Sequence, residues 1–183
     1  MEIKKAMEIY FDKQRDFWQS KYGIYPKLPY NSAIDKRMIV PDSLTDSGYI
    51  QWKPLLQEEN VDFSEIESRL GIKINPKIRQ YFNSYWFLSL IGDIDDATLD
   101  FATLPYGIDI VELAERCYLS GIDKFSDEKV HFELGFADID GDDSYLIYVE
   151  NETAMVKCVQ VEDNIVIEMG ALEDVISKMD VGM

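Results

Sequence analysis

Along the first 22 residues the apolar side chains return at steps of three and four. Ile3, Met7, Tyr10, Phe11, Trp18 and Tyr22 share one helical face, with a polar lapse at Gln14. The spacing predicts an N-terminal amphipathic helix over 1–22, stopped by Gly23 and Pro26. A loop from Tyr25 to Tyr30 follows, then an extended stretch from Arg37 to Pro41. A short strand is expected from Tyr49 to Lys53, bounded by Gly48 and Pro54. Two short helices come next. "VDFSEIESRLG" offers Asp62 as N-cap, Glu65 three residues later for a capping box, and Gly71 as the stop. "INPKIRQYFNSYW" offers Asn75 as N-cap and Pro76 at the first helical position, with Ile78, Tyr81, Phe82 and Tyr85 as its buried stripe.

The mostly apolar run from Trp86 to Ile91 reads as a strand. "GDIDDATLDFATLPYG" reads as a hairpin that turns near Asp95-Asp96 and returns from Ala97 to Leu104. Asp109 is placed to cap a helix over Ile110 to Tyr118, with Val111, Leu113, Ala114 and Cys117 inward and Gly121 at its end. From Lys129 the period falls to two. Val130, Phe132, Leu134 and Phe136 are expected inside, and His131, Glu133, Gly135 and Ala137 opposite. Strands over 144–150, 154–160 and 164–169, joined by tight turns, lead to a closing helix from Leu172 to Met179. Helices, strands, helix, strands, helix is an α+β order: an antiparallel sheet with helices packed on one face. At 183 residues the chain is expected to form one domain over 1–183. A chain of this size buries roughly two-thirds of its unfolded surface, so no disulfide or metal is required for folding.

Charge changes the picture more than composition does. Residues 1–89 carry 13 basic and 12 acidic side chains, while residues 90–152 carry 3 and 17. Most of the net −17 is thus confined to the middle third. Such density is retained either for solubility or for a basic partner, and it excludes nucleic acid, whose phosphates demand the opposite sign. The charged first 22 residues contain no apolar core of a signal peptide, and no run reaches the ~18 apolar residues of a membrane span. A cytoplasmic protein is expected, with at most peripheral membrane association through a partner. Cys117 and Cys158 lack a CxxC neighbour and sit at inward positions, which points to two reduced core thiols.

Three patterns carry candidate chemistry. Asp138-Ile-Asp-Gly-Asp-Asp143 begins like a calcium loop, with Asp138, Asp140 and Asp142 at the first three ligand positions. Its sixth position is Asp143 rather than Gly, its twelfth is Val149 rather than Glu, and strand formers follow. The stretch reads instead as a hairpin turn whose carboxylates, Asp140, Asp142 and Asp143, add to an acidic surface. His131 and Glu133 form an HxE, but no PCxxC follows and the chain has one histidine, so His131 is expected on the polar face of a strand. There is no GxSxG, Walker loop or GxGxxG. No catalytic set, cofactor or metal is therefore expected. Trp18, Trp52 and Trp86, with Tyr81, Phe82 and Tyr85, are read as core packing rather than a ligand cage.

"DFWQSKYGIYPKLPY", "GYIQWKP", "LGIKINPKIRQYF" and "LIGDI" before a hairpin, taken in this order, resemble the Syd family of SecY-interacting proteins. The resemblance runs from about Asp16 to Gly121. Beyond it, "GDDSYLIYVEN" resembles the Gly/Asp turn and apolar strand of the wider SUKH superfamily. The resemblance implies a curved sheet with a concave surface and a binding role rather than an enzymatic one. It implies one of two basic partners: the cytoplasmic loops of the SecY translocon, or a toxin domain, often a nuclease, neutralised by an immunity protein. Both are basic, so charge does not choose between them. The SUKH-type turn ranks immunity first and translocon binding second. The expected contact residues are Asp93, Asp95, Asp96 and Asp100 on the first hairpin, Glu112 and Glu115 on the following helix, and Asp140, Asp142 and Asp143 on the second hairpin.

Overall fold

The computed structural model describes residues 1–121, 129–163 and 165–181. In chain order its elements are α1 (Ile3–Tyr22), β1 (Lys27–Pro29), a 3-10 turn (Lys36–Met38), β2 (Tyr49–Gln51), β3 (Leu55–Leu56), α2 (Ser64–Leu70) and α3 (Pro76–Ser84). There follow β4 (Tyr85–Trp86), β5 (Ile91–Ile94), β6 (Ala97–Phe101), α4 (Ile110–Gly121), β7 (His131–Ile139), β8 (Asp142–Glu150), β9 (Met155–Gln160), β10 (Val166–Ala171) and α5 (Leu172–Lys178). Residue 164, the expected start of the last strand, lies outside the described residues.

Strands β5 to β10 form one antiparallel sheet in the order β10-β9-β8-β7-β6-β5, curled into a half-barrel. Two small ribbons, β1-β2 and β3-β4, stand apart from it. The α+β reading therefore holds. Helix α1 follows its three-and-four repeat as far as Gln14, which is buried because its amide donates to the Tyr10 hydroxyl at 3.2 Å. Asn75 caps α3 by accepting the Lys77 N–H at 2.9 Å, and Asp109 caps α4 through the Glu112 N–H at 3.0 Å. The core lies between the helices and one sheet face. Ala97, Leu99, Phe101, Phe132, Ala137, Tyr145, Ile147, Val149, Val156 and Cys158 meet Ile3, Met7, Tyr10, Phe11, Ile78, Tyr81, Leu172 and Ile176 there. Below, the "outer face" means the opposite side of this sheet.

Several expectations fail for local reasons. The Asp62–Glu65 capping box does not form: Phe63 holds the N-cap position, and Asp62 takes the Ser64 N–H and hydroxyl, both at 2.9 Å. The stretch from Arg37 to Pro41 begins as a 3-10 turn because Asp35 accepts the Arg37 N–H at 2.9 Å. The run from Trp86 to Ile91 is split. Trp86 pairs with Leu55 in the β3-β4 ribbon, Phe87 bridges Leu104, and β5 begins at Ile91.

The largest correction concerns β7. Phe136, expected inside, is 61% exposed, and Ala137 is buried. The register shifts between Glu133 and Gly135 against β8, which is a β-bulge, and an odd residue reverses the face of everything after it. Gly135 permits this with φ of 149° and with its Cα pressed against the Asp100 carbonyl of β6. His131, expected on a polar face, is buried. The outer face at this end of the sheet is covered, for Tyr148, Glu150 and Lys157 are buried there as well.

Candidate functional site

Two kinds of acidic residue bear on the site, beside others scattered over the surface such as Glu58, Glu59, Glu162 and Asp163. One kind is buried and paired with cations. Glu150 is held by Lys129 and Lys157 at 2.8 and 2.7 Å, Glu67 by Lys73 and Arg79 at 3.1 and 2.6 Å, and Glu173 by Lys77. Burial pushes the Glu150 carboxyl up, but the hydrogen bonds from Lys129 and Lys157 outweigh it and hold the group at about 2. These carboxylates are consumed in holding the fold.

The second kind gathers at one end of the six-stranded sheet. The β5-β6 hairpin turns at Asp95-Asp96, and the β7-β8 hairpin turns at Asp140-Gly141. Both residues of the latter turn have positive φ, 55° and 83°, which is the two-residue turn that Asp-Gly favours. The turns touch: the Asp140 N–H donates to the Asp96 carbonyl at 3.2 Å. Register aligns Asp93 with Thr98 and Thr98 with Asp138 across the same end. Asp93, Asp95, Asp96, Asp138 and Asp140 thus converge, with Asp142 and Asp143 opening β8 beside them. Asp100 stands one step further along the outer face, opposite Ile91 and Phe136. Partial burial of its carboxyl raises its pKa, although the residue keeps an exposed edge.

Among the described residues, none of these eight aspartates forms an ion pair. Three do carry internal hydrogen bonds. Asp93 accepts from the Thr98 hydroxyl at 2.6 Å, and Asp138 from the Gly141 N–H at 2.8 Å. Asp142 accepts the Ser144 N–H at 3.0 Å and the Gln160 amide at 2.9 Å. These bonds fix the turns and leave the negative charge uncompensated. Asp138 was not among the expected contact residues. Its pairing with Thr98, two strands into the sheet, is what brings it to the site.

Glu112 and Glu115 do not join this group. Glu115 is bound by Arg69 of α2 at 2.5 Å. The α4 residues that border the outer sheet face are Leu113, Arg116, Cys117 and Ser120. Five of the six aromatics behave as packing: Trp52, Tyr81 and Phe82 are fully buried, and Tyr85 and Trp86 pack against the core, whereas Trp18 stays outside it, half-buried against Phe17 and Tyr22.

Burial pushes the thiols of Cys117 and Cys158 up to about 12, which leaves them un-ionised and poor nucleophiles. Glu133 of the HxE pair accepts the Tyr148 hydroxyl at 3.0 Å. Among the described residues, no group of three or more His, Cys, Asp or Glu is placed to hold a metal ion. No helix among them is long and apolar enough to cross a membrane.

Comparison with known proteins bears on this geometry. Residues 3–115 match the family described as Syd protein (SUKH-2). The protein named Protein Syd from Pseudoalteromonas atlantica is 23% identical over 123 residues, which cover 67% of this chain and 63% of that protein. The family match contains Asp93, Asp95, Asp96 and Asp100, and it ends before the Asp138–Asp143 hairpin.

Proposed function

This chain belongs to the Syd family, and we propose that it is a non-enzymatic binding module whose partner is the SecY translocon, engaged through its basic cytoplasmic loops. The single observation that carries this reading is the cluster of aspartates without ion-pair partners on two adjoining hairpins. Four of the cluster's aspartates lie within the family match. Cytoplasmic loops of membrane proteins are enriched in Lys and Arg. An uncompensated acidic patch speeds their approach and rejects acidic competitors. The whole chain would act as one domain on the cytoplasmic side, reaching the membrane only through this partner. Ranking an immunity role first rested on the Gly/Asp turn of the second hairpin. That turn lies beyond the family match.

The test is titration of the wild-type chain and of the triple variant Asp93→Lys, Asp95→Lys, Asp96→Lys against SecY complex in nanodiscs. The expected result is binding that weakens with added salt and falls at least about tenfold in the variant. Equal binding by both proteins removes the acidic cluster from the mechanism. Absence of wild-type binding removes the translocon as partner.

A further inference from the structure

We propose that the outer face of the six-stranded sheet is a docking floor for a partner segment that is apolar as well as basic, anchored on Ile91, Phe136 and Val166. The inference rests on the binding role just proposed and adds which face is used and what chemistry it selects.

Register carries the argument. Ile91 stands opposite Asp100, Asp100 opposite Phe136, Phe136 opposite Leu146, Leu146 opposite Val159, and Val159 opposite Val166. One straight row therefore crosses all six strands, and five of its six side chains are apolar. A sheet face left to water alternates polar residues at such positions. Here Ile91 is 41%, Phe136 61% and Val166 48% exposed, while Leu146 between them is half-buried and Val159 is buried. Strands spaced about 4.8 Å apart make the row about 24 Å long. That length suits about seven extended residues or about 16 helical ones.

On one side the apolar row is bounded by the covered part of the face, where Tyr148 and Lys157 are buried, and the row on the other side sets the partner's charge. One position along the same face, about 7 Å away, lie Asp93, Thr98 and Asp138, leading to the acidic turns. Asp100 interrupts the apolar row itself, between Ile91 and Phe136, where its carboxyl is partly desolvated. A cation arriving there would supply the missing counter-charge. Arg116 is the basic residue lining the adjoining hollow of about 440 Å³, on the α4 side. The apolar row would hold a segment in place, and the acids would select one rich in Lys or Arg.

The test uses two synthetic peptides about 16 residues long with equal positive charge. One carries Leu on a single helical face, and the other has Ser at those positions. Calorimetric titration of the full chain is expected to show the Leu peptide binding at least about tenfold more tightly. Phe136→Ser, at an exposed position that does not threaten folding, is expected to abolish that difference and leave the Ser peptide unaffected. Equal affinities for the two peptides, or a difference that survives Phe136→Ser and Val166→Ser together, overturn the proposal. A concentration-dependent dimer that Phe136→Ser dissolves would assign the face to a second copy of the chain and also overturn it. SecY binding that Phe136→Ser does not weaken overturns this inference but not the translocon reading. Peptide discrimination without SecY binding overturns the translocon reading but not this inference.

Discussion

Replacing Gly135 with Ala tests the device that turns Phe136 outward. An ideal Cβ at Gly135 would lie 2.1 Å from the Asp100 carbonyl oxygen and 3.0 Å from both Asp100 C and Phe101 Cα. All three atoms belong to the β6 backbone, so no side chain can swing aside. The φ of 149° is also one that residues with a Cβ rarely adopt. Backbone strain of this kind costs about 1–3 kcal/mol, and crowding in a packed interior about 1–3 more, so a loss of about 4 kcal/mol is expected. Gly71 supplies the control. Its φ is 68°, and a Cβ there meets nothing within 4 Å. Gly71→Ala should therefore cost only the left-handed term, about 1 kcal/mol. Urea unfolding of the two variants, with m-values compared to detect changes in the unfolded state, measures the difference directly. Amide exchange adds a local readout, because the Ala102 N–H donates to the Leu134 carbonyl at 2.7 Å beside the bulge. Its protection should fall in Gly135→Ala and hold in Gly71→Ala. Destabilisation of Gly135→Ala no greater than that of Gly71→Ala would refute the account of the bulge.

Three further outcomes are expected. Glu150 sits at about 2 in the folded chain against an ordinary value of 4.5, so its contribution is present above pH 4.5 and is lost as pH falls toward 2. That contribution is about 3 kcal/mol, and Glu150→Gln should remove this part of the acid sensitivity in urea melts taken between pH 5 and 3. Tyr10→Phe should cost about 2–3 kcal/mol in the same assay. The hydroxyl donates to the Ile91 carbonyl at 2.6 Å and accepts the Ile91 N–H at 3.1 Å, and both would be stranded at the β5 edge. Cys117 and Cys158, with thiols raised to about 12, should react with a thiol reagent in native protein at pH 8 far more slowly than in urea.

The elements legible in the sequence are those with a local cause. The three-and-four repeat gave α1, Asn75-Pro76 gave the start of α3, Asp109 gave the start of α4, and Asp-Gly gave the β7-β8 turn. The face of Phe136 was not legible from alternation, because one bulged residue reverses it. Gly135 inside a strand pattern was the available signal, since an isolated strand glycine often marks a bulge. The β3-β4 ribbon was missed because two residues on each side carry no periodicity, and only the fold brings Leu55 to Trp86.

The same limit governs the candidate site. Counting charge along the chain treats all the acids of residues 90–152 as one population. Glu115 and Glu150 nevertheless belong to ion pairs, with Arg69 in one case and with Lys129 and Lys157 in the other. The partners lie 46, 21 and 7 residues away, so no local pattern announces them. Conversely, Asp96 and Asp140 are 44 positions apart and meet because antiparallel register aligns two hairpin turns. An acidic chain therefore becomes an acidic site only where folding withholds the cations. On the six-stranded sheet the hairpin end is such a place, and it adjoins a row of the outer face where Ile91, Phe136 and Val166 are left exposed.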